Sequence, residues 1–287
     1  MLNETDKMIW IPFAGALSEA TGVVLEKKVL RKKYINFKNY SVASFLAIVI
    51  AMLPLIYFFW RISPEAGELK NILIFAFVIA SSVIANILIF YSLKKEQITE
   101  IEPIRLFQPL FVILIALVLY PSERIAHVIV PALIASSALV FSHLKRHHFQ
   151  FNKHLMAAFF GSLFFAIELA ASKSILLFYS EITFYFLRCL SVLIIVYLIF
   201  RPSFKGMNNK SKVLIFITGA IWVFYRLILY YGYLKYGVIL TTLLFILAPV
   251  FIYLFAGVFL KEKLSWKNIL ATIVIIICVA YAIFFSV

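Results

Sequence analysis

Charged residues are scarce in this chain: 14% of 287 positions, with 13 acidic side chains against 27 lysines and arginines. A soluble domain of this length needs a larger charged complement to meet water, so the shortage excludes an ordinary globular protein. Cysteine is nearly absent too. Cys189 and Cys278 both sit inside apolar runs, which leaves two buried free thiols and no disulfide or metal framework. The sequence also lacks a phosphate-binding P-loop, which argues against a self-contained ATP-driven pump. Met1–Lys7 is polar and mixed in charge rather than a cleavable leader, so the first apolar run is expected to remain as a helix.

What is present is hydrophobic: 64% of residues are apolar, among them 30 Phe and 15 Tyr. An apolar run of about 20 residues spans one bilayer. Ten such runs are predicted, at 8–26, 40–60, 70–93, 103–120, 124–142, 155–176, 182–200, 212–233, 238–260 and 266–286. The narrowest break is Tyr120-Pro121-Ser122-Glu123-Arg124, where proline, serine and two charges mark a turn rather than one long helix. The expected fold is an all-α membrane protein of ten transmembrane helices, integral to the plasma membrane.

The net charge of +14 gathers in the gaps between runs. The odd-numbered connections carry about nineteen Lys and Arg, including Lys27, Lys28, Arg31, Lys32, Lys33 and Lys38, while the opposite side with both termini carries about six. That asymmetry reads as membrane topology rather than as a nucleic-acid surface, and places both termini outside.

The sequence also repeats itself. Leu106-Phe107-Gln108-Pro109-Leu110-Phe111, an apolar run and Ser122-Glu123-Arg124 are echoed by Leu247-Ala248-Pro249-Val250-Phe251, an apolar run and Lys261-Glu262-Lys263-Leu264-Ser265. Upstream, Phe90–Lys95 is matched by Tyr231–Tyr236. The halves, 1–146 and 147–287, each contain five runs. An odd number inverts the second half relative to the first, an arrangement that gives transporters two alternative packings around a midplane site.

These features resemble the drug/metabolite transporter superfamily, in particular its ten-helix EamA-type members. The resemblance rests on the five-plus-five layout, Pro109 and Pro249, the Glu-containing turns before helices five and ten, Arg188 early in helix seven, and the closing segment Leu247–Tyr281. Helix one, Gly15-Ala16-Leu17-Ser18-Glu19-Ala20-Thr21-Gly22 onward to Lys27, is similar to the first helix of small multidrug-resistance antiporters. That likeness implies that Glu19 is a carboxylate exchanging protons for substrate.

Charges inside the runs are the other candidates, since each costs about 2.5–3.5 kcal/mol to insert and needs a partner, a wet cavity or a task. Glu19 lies near the centre of its run and reads as a proton site or as a protonated structural group. Glu168, Arg188 and Arg226 fall at similar depth on runs six, seven and eight. They form either a Glu168–Arg188 or Glu168–Arg226 pair, or a site where an arginine grips a substrate carboxylate or phosphate. Glu102 and Arg105 make an i,i+3 pair at the end of run four. Gln108, with Asn86, Ser81 and Ser82, offers uncharged hydrogen bonds to a cavity, or simply packs. Tyr225 and Trp222 either line that cavity or pack, and Tyr230, Tyr231 and Tyr233 read as interfacial anchors. Arg146-His147-His148 lies in a basic connection without Cys or carboxylate neighbours, a poor metal signal.

The reading that follows is a secondary transporter of a small metabolite or amphipathic solute by alternating access, as a proton-coupled exporter. Its partners are a small molecule, the bilayer and protons, with no cofactor and no nucleic acid, and it functions as a monomer or homodimer. A flippase for a lipid-linked sugar or amine is the alternative. A membrane enzyme is disfavoured because the carboxylates are scattered rather than clustered with His.

Overall fold

The computed structural model describes residues 4–96, 101, 104–143, 152–204, 207–249, 251 and 266–286. They form ten α-helices: α1 Glu4–Leu30, α2 Phe37–Phe59, α3 Leu69–Lys95, α4 Phe107–Leu119, α5 Ala126–His143, α6 Lys153–Leu176, α7 Glu181–Phe200, α8 Asn209–Lys235, α9 Val238–Phe245 and α10 Trp266–Ser286. Among the described residues there is no strand, only an isolated bridge between Ile62 and Tyr179. Five helices, α2, α3, α6, α7 and α8, are long and apolar enough by length and composition to cross a membrane, and α4 is a shorter apolar helix.

Local chemistry sets where several helices start. Asn36, Asn152, Ser180 and Asn208 each accept a backbone N–H from the first turn of α2, α6, α7 and α8, satisfying donors the helix itself cannot. The helix interiors are filled by long apolar side chains whose outer members, such as Tyr57, Phe58, Val118 and Phe284, are exposed. That exposure is the surface a hydrocarbon solvent requires.

The helix pairings repeat across the halves. α1 packs on α8 as α6 packs on α3; α4 packs on α6 as α9 packs on α1; α2 packs on α8 as α7 packs on α3. Three further pairs join same-numbered helices: α2 with α7, α4 with α9, and α5 with α10. The chain is therefore two five-helix repeats that are inverted and interlocked, as the sequence predicts.

Close approach depends on small residues. At Gly219 of α8, an added Cβ would lie 3.0 Å from Ala47 Cβ and 3.1 Å from the Ala47 carbonyl carbon and the Ile48 nitrogen of α2. Because two of those neighbours are backbone, they cannot swing aside. Gly219→Val is expected to cost about 1–3 kcal/mol through overpacking. Thermal unfolding in detergent should show the loss, and an unchanged midpoint would mean that α2 and α8 are not held this close.

Candidate functional site

Two small chambers lie among the central helices. One is lined by Glu19, Gln108, Pro109, Tyr225 and Pro249, among others, and the second by Glu26, Ser44, Asn86, Arg188 and Arg226, with Arg105 bordering both. Each holds about 50 Å³, room for a few water molecules. α1 supplies an acid to each, because Glu19 and Glu26 are seven residues apart and so face the same way two turns along the helix. Glu19 interacts with the Tyr225 phenol by charge and through a side-chain hydrogen bond. Glu26, only 3% exposed, accepts from Tyr40 Oη at 3.1 Å.

Beside the second chamber sits a buried charge cluster. Glu168 is fully buried, and Arg188 and Arg226 are 2% and 7% exposed. Glu168 Oε1 is 3.0 Å from Arg188 Nε, and Glu168 Oε2 is 3.3 Å from Arg226 Nη1. Tyr230 and Ser172 each donate to Oε1 at 3.3 Å, and Arg188 Nη2 donates to Ser82 Oγ at 2.7 Å. The two alternative pairings read from the sequence thus occur together on one carboxylate. The ion-pair contacts lack hydrogen-bond alignment at Arg188 Nε and Arg226 Nη1, so attraction here is chiefly Coulombic.

At the even-numbered connections, Glu123 ties the halves together. It pairs with Lys173 of α6, and its Oε2 accepts the Ile239 amide at 2.9 Å, placing a carboxylate on the positive N-terminal end of α9. Tyr120 donates to the Ala170 carbonyl at 2.7 Å, and the Lys173 ammonium lies 4.9 Å from its ring centre. Gly237, just before α9, has φ +87° and ψ 167°, a conformation nearly restricted to glycine. A Cβ there would also approach Glu123 Cδ to 2.8 Å. Gly237→Ala is expected to cost about 1–3 kcal/mol from backbone strain alone and to loosen the Glu123 bridge. A lowered unfolding midpoint tests this, and a neutral substitution would contradict it.

At the opposite end the chain closes differently. Lys27 donates to the Leu93 carbonyl at 2.6 Å and to the Glu96 carbonyl, at the C-terminus of α3; Lys94 donates to the Leu30 and Lys32 carbonyls at 2.9 Å, at the C-terminus of α1. Each lysine caps the other's helix, where the dipole is negative. Nearby, Ser211 Oγ takes Lys32 Nζ at 2.7 Å and lies 2.9 Å from Tyr34 Oη. Its hydrogen bond, with a smaller contribution from the Lys32 charge, holds the Tyr34 phenol below its ordinary pKa.

Of the residues singled out in the sequence, Glu19, Gln108 and Tyr225 meet in the first chamber, and Arg188 and Arg226 line the second with Glu168 behind them. Asn86 lines the second chamber rather than joining Gln108, and Ser82 serves Arg188. Tyr230 and Tyr233 correct the anchor reading: they are 0% and 1% exposed, because they follow Arg226 at helical spacing on its inward face. Tyr231 remains at the surface. Glu102 and the Arg146-His147-His148 segment lie outside the described residues. The sequence reading missed Glu26, and it took Glu123 only as a turn residue. The seven-residue step from Glu19 is the signal that could have found Glu26.

No curated protein matches the chain significantly. Among solved structures, a crystal structure described only as that of a protein superposes with a TM-score of 0.73 at 17% identity, covering 98% of this chain and 97% of that one. At this identity the likeness shows the fold. The profile of the EamA-like transporter family matches twice, over residues 7–143 and 152–284. Matched along both repeats, the chain belongs to the EamA-like transporter family and is an integral membrane protein that transports small solutes.

Proposed function

We propose that this protein moves a small polar or amphipathic solute across the plasma membrane by alternating access, with proton exchange at Glu19. The observation that carries this reading is the placement of charge. In a chain with few charges, Glu19, Glu26, Arg105, Arg188 and Arg226 all border two small chambers among the central helices. Membrane helices keep such groups inside only where they have a partner or a task. The inverted repeats, divided at 146/147, supply the two alternative packings that alternating access needs. The basic bias of the odd-numbered connections favours termini on the outer side. Two repeats in one chain also favour a pathway formed by a single copy.

A water-soluble solute is the leading reading, and the alternative is flipping of a lipid-linked sugar or amine. The test is transport in reconstituted vesicles carrying an imposed pH gradient, with a panel of amino acids, organic acids, sugars and organic cations. Uptake that follows the gradient and collapses with a protonophore is expected. Uptake indifferent to the gradient would remove proton coupling, and no uptake of any solute would remove the reading itself.

A further inference from the structure

The two arginines do not share Glu168 on equal terms. Arg188 directs its guanidinium into the protein, with Nε toward Glu168, Nη2 on Ser82, and Nη1 3.9 Å from Cys189 Sγ. Arg226 makes one ion-pair contact, at Nη1. The rest of its guanidinium lies against the rings of Phe165, Tyr225 and Tyr230, at 5.8–5.9 Å from their centres. Both arginines border the second chamber, whereas Glu168 does not line it. The carboxylate therefore backs the arginines, which present their other side to the cavity.

Within the cluster itself the charges do not balance. Two guanidinium groups share one carboxylate, a sum of +1, and among the described residues Glu168 is the only carboxylate in ion-pair contact with either arginine. The other charged residues of that chamber's wall are Glu26, which accepts from Tyr40, and Arg105, which it shares with the chamber of Glu19. A net positive charge buried at membrane depth calls for an anion. The planar guanidinium is the side chain best shaped to hold two oxygens side by side.

Resting on the transporter reading, we propose that the second chamber binds the oxyanion group, carboxylate or phosphate, of the transported solute. Arg226 is its principal ligand, and Glu168 is the positioning residue that holds both guanidinium groups in place. Ser44 and Asn86 border the same space and supply uncharged hydrogen bonds. At about 50 Å³ the chamber admits only a head group, so the remainder of the solute enters as the helices part, against Phe45, Phe90 and Trp222.

The test uses the purified full-length protein in detergent at fixed ionic strength. Sodium pyruvate, sodium succinate, inorganic phosphate and glycerol 3-phosphate are compared with glucose, tetramethylammonium chloride and sodium chloride. At least one oxyanion is expected to raise the unfolding midpoint by roughly 2–4 °C at saturating concentration, with a carboxylate-only or phosphate-only response identifying the head group. Arg226→Gln should abolish that rise, and Arg226→Lys, which keeps the charge but loses the fork, should keep only a fraction of it. If Arg226→Gln does not fold, Arg226→Met, which likewise leaves the neutral Glu168–Arg188 pair and fills the space with an apolar chain, takes its place. Equal shifts with chloride, glucose or tetramethylammonium would overturn the proposal, as would an oxyanion shift that survives the loss of Arg226. Vesicle flux of a neutral or cationic solute that no oxyanion inhibits would sink the anion site while leaving transport standing. An Arg226-dependent shift without flux would sink transport and leave the site.

Discussion

Glu168→Ala is expected to destabilise the protein by about 3–5 kcal/mol and to abolish transport, because it leaves two buried guanidinium groups without their counter-ion. The wild-type contacts are 3.0 and 3.3 Å long with all three side chains at least 92% buried, so little water is present to take over the carboxylate's role. At about 2–4 °C per kcal/mol for a chain of this size class, the unfolding midpoint should fall by roughly 6–20 °C. Removing all three charges together, as Glu168→Leu with Arg188→Leu and Arg226→Met, should recover most of the stability. The triple variant should still be inactive in vesicles, which separates folding from function. A midpoint for Glu168→Ala within a degree of wild type would show that the arginines do not depend on this carboxylate.

Glu19→Gln is expected to fold normally yet lose proton-driven flux by about a hundredfold, the low end of what a positioned proton-transferring side chain contributes. Glutamine has nearly the same shape and keeps an oxygen that can accept from the Tyr225 phenol, so the interaction at that wall survives while the exchangeable proton does not. Exchange of solute down its own gradient should persist in the mutant. Flux at the wild-type rate under a pH gradient would take Glu19 out of the mechanism without touching the fold.

Much of the architecture was legible because a bilayer imposes one simple demand, a run of apolar residues per crossing, and hydropathy measures it directly. α7, predicted over 182–200, is found at Glu181–Phe200, and α8, predicted over 212–233, at Asn209–Lys235. The final turns of α1 and α3 were read short, since Lys27 and Lys94 look like loop residues until the carbonyls they cap are known. Run nine, predicted over 238–260, is helical from Val238 to Phe245, turns at Ile246–Leu247 and is helical again at Ala248 and Pro249. Proline at 249 has no N–H to give the Phe245 carbonyl and its ring crowds that group, which accounts for the break between them.

The site was legible in depth but not in direction. Counting along each run put Glu168, Arg188 and Arg226 at one level, and they do meet. Counting cannot tell which way a side chain points around the helix axis, so it offered a choice of pairs where the structure has both at once. The same limit hid Glu26, whose buried position next to Tyr40 depends on how α1 lies against α2. It also hid Glu123, whose partners Lys173 and Ile239 come from the other half of the chain.

The pairing of same-numbered helices, α2 with α7, α4 with α9 and α5 with α10, has an electrostatic consequence. These contacts straddle the pseudo-twofold axis, where equivalent positions of the two halves face each other and like meets like. Identical halves would set every ionisable residue near that axis against its own copy, a repulsion that burial would amplify. By the spacing that aligns Gly15 with Gly161 and Lys27 with Lys173, the counterpart of Glu168 is Gly22, and by the spacing that aligns Leu93 with Leu234, the counterpart of Arg226 is Ala85. Small uncharged residues at those two places leave Glu168 and Arg226 without mirror images, so the symmetric scaffold carries this charge cluster in one half alone.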